Sequence, residues 1–153
     1  MGPILAVKLY FQRALNVTGR SRRSEFVWVF LFQIVFSLLL GSLIYSFGIN
    51  GDFGLSEDYG DDIFNALGLV LATIYGLFVL ANFVPWITLS VRRFHDMDHT
   101  GWLVALFMGL YLIPPVGFIG GIIQFLWLFL GSGTAGNNKY GQDPRHEFRY
   151  AFD

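Results

Sequence analysis

Residues 26–48 read FVWVFLFQIVFSLLLGSLIYSFG, and no charged residue interrupts them. At 1.5 Å per residue a helix of this length is about 34 Å long, enough to cross hydrocarbon of about 30 Å. A secretory signal has a shorter apolar core and a small-residue cleavage site. Neither is evident here, so the helix is expected to be retained in the membrane.

The flanks of this stretch differ in charge. Before it stands Gly19-Arg20-Ser21-Arg22-Arg23-Ser24-Glu25, a polar hinge in which Ser24 is a candidate cap and Glu25 meets the positive end of the helix dipole. After it, Ile49–Asp62 carries Asp52, Glu57, Asp58, Asp61 and Asp62 and no basic residue, which reads as a loop. Further toward the N-terminus, Ile4, Val7, Phe11 and Leu15 recur at helical spacing, with Lys8, Gln12 and Asn16 on another stripe. That pattern predicts a short amphipathic helix lying on the membrane surface; a frayed tail is the plainer alternative.

A second span is predicted over Ile63–Val91, with Asn82 and Pro85 near one end, where Pro breaks or kinks a helix. Gly68, Ala72 and Gly76 lie four apart, a seam along which another helix can approach closely. Arg92 to Gly101 reads as a short charged turn. Trp102–Leu130 is apolar again but is broken by Pro114-Pro115 and by Gly117, Gly120 and Gly121. The tail from Gly131 is polar, Gly- and Asn-rich, and expected to be irregular with at most a short helix near its end.

Composition agrees with a bilayer. Of the 153 residues 54% are hydrophobic and only 14% charged, where soluble domains are nearer one quarter charged; mean hydropathy is +0.54. A formal net charge of −1 gives no reason to expect a nucleic-acid partner. The absence of cysteine excludes disulfides, thiolate zinc sites and cysteine nucleophiles.

Basic residues set the orientation. Lys8, Arg13, Arg20, Arg22 and Arg23 put the N-terminal segment in the cytoplasm, the acidic loop outside, and Arg92-Arg93 inside again. Lys139, Arg145 and Arg149 favour a cytoplasmic tail, which needs an even number of crossings. Split at Pro114-Pro115, each half of the third segment is roughly 18–23 Å long, short of a full span. The expected fold is therefore an all-α membrane protein with two full transmembrane helices. The third apolar segment adds either a Pro-broken helical hairpin, making four helices, or one kinked span, and the hairpin is the favoured form. The expected organisation is a cytoplasmic amphipathic segment over 1–23, a transmembrane domain over 24–130, and a polar cytoplasmic tail over 131–153.

Few residues suggest chemistry. His95, Asp96, Asp98 and His99 are candidate metal ligands, with the two histidines on one face if helical. A solvated turn is the plainer reading, and the metal idea fails if either histidine turns away from the two aspartates. Trp28, Trp86, Trp102 and Trp127 lie within or near the ends of spans, as interfacial anchors do. Asn82 and Gln124 are polar groups in apolar segments, for which an interhelical hydrogen bond is the simplest role. No acid or base lies mid-span, which counts against ion-coupled transport. No nucleophile elbow, phosphate-binding glycine loop or zinc-protease motif is present. Glu25 is the only acid among the N-terminal arginines and shares a membrane face with Arg92 and Arg93, so a structural ion pair there is as good a reading as headgroup contact.

Three strings in series, Gly19-Arg20-Ser21-Arg22-Arg23-Ser24-Glu25-Phe26-Val27-Trp28, then Arg92-Arg93-Phe94-His95-Asp96 on to Thr100-Gly101-Trp102, and Gly133-Thr134-Ala135-Gly136-Asn137-Asn138-Lys139-Tyr140-Gly141-Gln142-Asp143-Pro144, carry a resemblance. From about Tyr10 to Pro144 the chain resembles the bacterial domain of unknown function 805 family, the YhaH-like inner-membrane proteins. Val27 before Trp28, and Asp98 with His99, depart from the family pattern. The resemblance implies no activity or cofactor. It implies a multi-spanning protein of the bacterial inner (plasma) membrane with its three polar motifs gathered on the cytoplasmic side.

The function expected is thus that of a non-enzymatic membrane protein without cofactors. Its cytoplasmic cluster of Arg20, Arg23, Glu25, Arg92, Arg93, His95, Asp96, Trp102, Asn138, Tyr140 and Asp143 would bind anionic headgroups, a membrane-protein partner or each other. A small transporter or channel component, oligomeric through the Gly68/Ala72/Gly76 seam, and a metal-dependent membrane enzyme are the alternatives.

Overall fold

The computed structural model describes residues 2–50 and 59–147. Among them lie six helices: α1 Pro3–Gln12, α2 Arg23–Asn50, α3 Tyr59–Asp96, α4 Trp102–Leu110, α5 Val116–Leu130 and the one-turn α6 Pro144–Glu147. Both ends of the expected acidic loop are helical, since α2 reaches Asn50 and α3 opens at Tyr59; residues 51–58 lie outside the described residues. Helix α2 starts at Arg23, so Ser24 falls inside the first turn rather than capping it. Helix α3 is not ended by Pro85, which lies inside it.

The largest departure from expectation is at the end of α3. The string Arg92–Asp96, expected as a turn, is the last turn of the helix. The helix closes in a Schellman motif: the Asp98 N–H donates to the His95 carbonyl (3.1 Å) and the His99 N–H to the Phe94 carbonyl (2.9 Å). Asp98 occupies the left-handed position with φ 60, where glycine is usual. The Trp127 ring meets both Phe94 (5.6 Å) and His99 (5.1 Å) edge-on, supplying the apolar contact that accompanies this cap.

The chain divides into two units. One is Leu31–Phe83, the apolar bodies of α2 and α3. Phe36 and Phe78 pack at 4.0 Å, and Phe32 joins them. Gln33 donates to the Asn82 side-chain oxygen (2.7 Å) while Asn82 donates to the Phe78 carbonyl (2.7 Å), the interhelical bond expected of a polar group in an apolar segment. The outward side chains are large and apolar: Leu38 is 68% exposed, Tyr45 69% and Leu80 71%. Two helices are long and apolar enough to cross a membrane, Arg23–Phe47 and Ala66–Asp96, and little of either is buried by protein. A soluble core helix hides its apolar surface, whereas a lipid-facing one leaves it outward. Along the small-residue seam Gly68 is buried, Ala72 is exposed and nothing lies within 4 Å of a Cβ built at Gly76.

The other unit comprises Met1–Phe30 and Val84–Asp153. Its apolar core joins Tyr10, Phe26, Val29, Leu89, Phe94, Met97, Val104, Phe107 and Leu128. The third apolar segment is a hairpin: α4 and α5 pack on each other across the Pro114–Pro115 turn. Gly117 makes that approach possible, because a Cβ there would stand 2.6 Å from the Tyr111 Cα and 2.8 Å from the Leu110 carbonyl oxygen. Tyr111 donates its hydroxyl hydrogen to Gln124. The hairpin leaves and returns at one place: Gly101 abuts Val91 and His95, and Gly131 abuts Met97, all at the end of α3. On α1, Ala6 and Tyr10 are buried, while Ile4 (85%) and Leu15 beyond it (85%) face outward. Trp86 packs on Phe26 and Phe30, so this indole belongs to the core rather than to an interfacial anchor.

Candidate functional site

Three irregular or terminal segments meet at the end of α3: residues 13–25, the turn after Asp96, and residues 131–145. Irregular backbone has carbonyls with no ladder to accept them, and a guanidinium offers five donors in a fixed fork. The sequence supplies that match three times.

Arg92 is 1% exposed. It donates to the carbonyls of Arg13 (2.7 Å) and Asn16 (2.7 Å) and to the Ser21 hydroxyl (3.0 Å), and its remaining nitrogen stands 3.6 Å from Glu25. Ser21 returns a backbone N–H to the Arg92 carbonyl (3.1 Å). Arg93, wholly buried, donates to Asp96 (2.7 Å) and to the carbonyls of Leu128 (3.1 Å) and Gly131, fixing the exit of α5. Arg20 binds the other Asp96 oxygen (3.1 Å) and the carbonyls of Gly136 (2.6 Å) and Thr134 (2.7 Å). Asp96 therefore stands between two buried guanidiniums, each a charge-assisted contact.

The segment 131–145 is tied down by the same residues. The Thr134 N–H donates to the Asp96 carbonyl (2.8 Å). The Asn138 amide donates to the His95 carbonyl (2.9 Å) and the Thr134 hydroxyl (3.1 Å). Gly133 has no room for a side chain, since a Cβ would stand 2.1 Å from an Asp96 oxygen. Tyr140 stacks flat on His95 (3.9 Å between centroids, 5° between planes), and the His95 ring nitrogen faces the Gly19 carbonyl (3.2 Å). Asp143 is buried and accepts from the Arg145 guanidinium (3.0 Å) and the N–H groups of Gly136 (3.0 Å) and Arg145 (2.9 Å). Those bonds, the Arg145 side chain first, hold its carboxyl well below the usual carboxylate range. Arg22 donates to the Pro144 carbonyl (2.6 Å).

Most of the expected cluster is thus together: Arg20, Glu25, Arg92, Arg93, His95, Asp96, Asn138, Tyr140 and Asp143. Two members are not part of this network. Trp102 is 80% exposed, and Arg23 is exposed with its guanidinium 6.0 Å over the Phe129 ring. Ser21, Gly133, Thr134 and Arg145 join the network without having been singled out. Ser21, Gly133 and Thr134 sit inside the quoted family strings, which was the available signal.

The proposed metal string takes a different form. Its four side chains go to four places: His95 to Tyr140, Asp96 to Arg20 and Arg93, Asp98 to Lys139 (3.7 Å), and His99 to Trp127. Helix α3 ends at Asp96 and the backbone turns left-handed at Asp98, which destroys the i,i+4 face that His95 and His99 would need. Among the described residues no group of three or more His, Asp or Glu is placed to hold a metal ion.

Residues 14–142 match the family described as protein of unknown function (DUF805). The chain is 36% identical over 129 residues to "Inner membrane protein YhaH" of Escherichia coli (strain K12), covering 84% of this chain and 87% of that protein. It is 32% identical over 131 residues to "Inner membrane protein YhaI" of the same strain, covering 86% and 87%. No solved structure matches it. The matched stretch takes in Arg20, Arg92, Arg93 and Asp96 together with both long apolar helices, and the chain belongs to the DUF805 family.

Proposed function

We propose that this chain is a multi-pass inner-membrane protein with no catalytic chemistry of its own. Its N-terminal segment, the end of α3 and residues 131–145 share the cytoplasmic side. There the buried arginines build a rigid platform whose outer basic groups meet anionic headgroups or a protein partner.

One observation carries the reading: Asp96, held between Arg20 and Arg93 while its carbonyl takes the Thr134 N–H. That single residue joins three segments far apart in sequence, so all three belong on one side of the bilayer. Lys8, Arg13, Arg22, Arg23, Lys139 and Arg145 lie in those segments, and the positive-inside rule makes that side cytoplasmic. The hairpin supports an even number of crossings, because it leaves and rejoins the end of α3. Helices α4 and α5, about 14 and 22 Å long at 1.5 Å per residue, are each shorter than a full span. The buried arginine and aspartate side chains are engaged with protein groups, as structural ions are.

The cysteine-free chain allows a direct test. Single cysteines at Ser56 and Gln142 are labelled in intact cells with a membrane-impermeant maleimide. The expected result is labelling at position 56 from outside and at position 142 only after the membrane is opened. Labelling of position 142 in intact cells would overturn the proposal.

A further inference from the structure

Beside the Asp96 network lies a cleft of about 270 Å³ lined by Arg22, Arg23, Ser24, Gly133, Pro144 and Arg145, with Asp96 at its back. We infer that this cleft is a binding site for a phosphate-bearing headgroup, the phosphate lying among Arg22, Arg23 and Arg145. This deepens the platform reading above and rests on it.

Charge, position and shape point the same way. Three arginines from two separate segments line one cleft, and guanidiniums are the groups that phosphate oxygens favour. Arg145 also holds Asp143 (3.0 Å), so Arg22 and Arg23 supply most of the net positive charge. The one acid in the wall is not a repellent, because both its oxygens are taken by Arg20 and Arg93. The outer arginines remain accessible: Arg23 is exposed, and the Arg145 side chain is 54% exposed. Arg23 opens the 28-residue helix α2, so the positive end of that helix adds to the field. Gly133 keeps the inner wall open, since any side chain there would meet Asp96. The position also favours a lipid over a soluble anion. Arg23 stands over Phe129 of the apolar helix α5, and the next residue, Leu130, is 57% exposed. The cleft therefore opens where basic surface gives way to apolar surface, the level at which headgroup phosphates lie.

The test uses the full chain purified in a neutral detergent, with thermal melting followed as lipid is added. Dioleoyl phosphatidic acid or phosphatidylglycerol is expected to raise the melting temperature by several degrees and phosphatidylcholine to do little. The R23Q/R145Q variant should lose the rise, with at least a tenfold higher lipid concentration needed for half effect. R23K should keep most of it. K139Q removes an exposed charge elsewhere on the same face and should respond as the parent does. An equal loss in K139Q would show diffuse charge rather than a site, and an undiminished rise in R23Q/R145Q would exclude this cleft; either overturns the inference. Should R23Q/R145Q melt early without lipid, R23Q alone carries the comparison, with at least a threefold shift expected and no shift counting against the site. Inorganic phosphate is the second arm: no protection at 10 mM supports a lipid source, while protection matching that of the lipid supports a phosphate site and overturns its assignment to lipid. Cysteine labelling fails separately: a correct topology with no lipid response would sink this inference alone.

Discussion

The two units place their side chains in opposite ways. Among the described residues of Leu31–Phe83 large apolar side chains face out, while Phe36 packs on Phe78 and Gln33 bonds Asn82 between the helices. In the other unit Arg20, Arg92, Arg93, Asp96 and Asp143 are all buried. The difference follows from the backbone. In α2 and α3 the helix satisfies its own peptide groups, so lipid is a tolerable neighbour and nothing polar is required inside. In residues 13–22 and 131–143 the backbone is irregular, and its carbonyls need donors from elsewhere. The arginines are those donors, so here buried charge does the work that a hydrogen-bond ladder does in a helix.

The sharpest break in that comparison is Asp96→Asn. It leaves two buried guanidiniums without their counter-ion, and the loss of stability is expected to be about 3–5 kcal/mol, read as an early melt in detergent with residues 131–145 open to protease. A melt unchanged from the parent would mean the network holds nothing. Gly133→Ala should cost about 1–3 kcal/mol by overpacking, since its methyl would meet the Asp96 carboxylate; Gly136→Ala, at a position with nothing within 4 Å but a positive φ, separates crowding from backbone strain.

Acid acts on the same segment more gently. The Asp143 carboxyl titrates below its ordinary value when folded, so its contribution is complete above about pH 4 and fades as pH falls from there toward the folded value. Protease release of the tail should rise over that window, and Asp143→Asn should release it already at neutral pH with no further acid dependence from this group. In the apolar unit the corresponding change is small: Asn82→Ala should cost about 0.6 kcal/mol, the usual size of an interhelical hydrogen bond in a membrane. A loss as large as that of Asp96→Asn would erase the contrast between the units.

The sequence made some of this legible and hid the rest for a physical reason. The uncharged run at 26–48, the span near 63–91 and the break at Pro114-Pro115 could be read because lipid and proline impose strict local rules. Glu25 could be grouped with Arg92 and Arg93 because they share one membrane face, and Asp96 because the family strings gather there. Helix α3 was expected to stop at Val91, because four polar residues in the five that follow look solvated until their partners are known. The hidden partners are carbonyls, those of Arg13, Asn16, Leu128, Gly131, Thr134 and Gly136, and any residue type carries one. Trp102 was grouped with the cluster by its neighbours in sequence, yet α4 carries its side chain outward.

The central claim is that residues 131–143, though irregular, are clamped to the end of α3. Hydrogen–deuterium exchange of the full chain in neutral detergent tests it most directly. The amides of Thr134, Gly136, Asn138, Tyr140, Gly141 and Asp143 all have acceptors, so the account predicts exchange far slower than that of an unstructured peptide. Exchange of this segment at the free-peptide rate would contradict it.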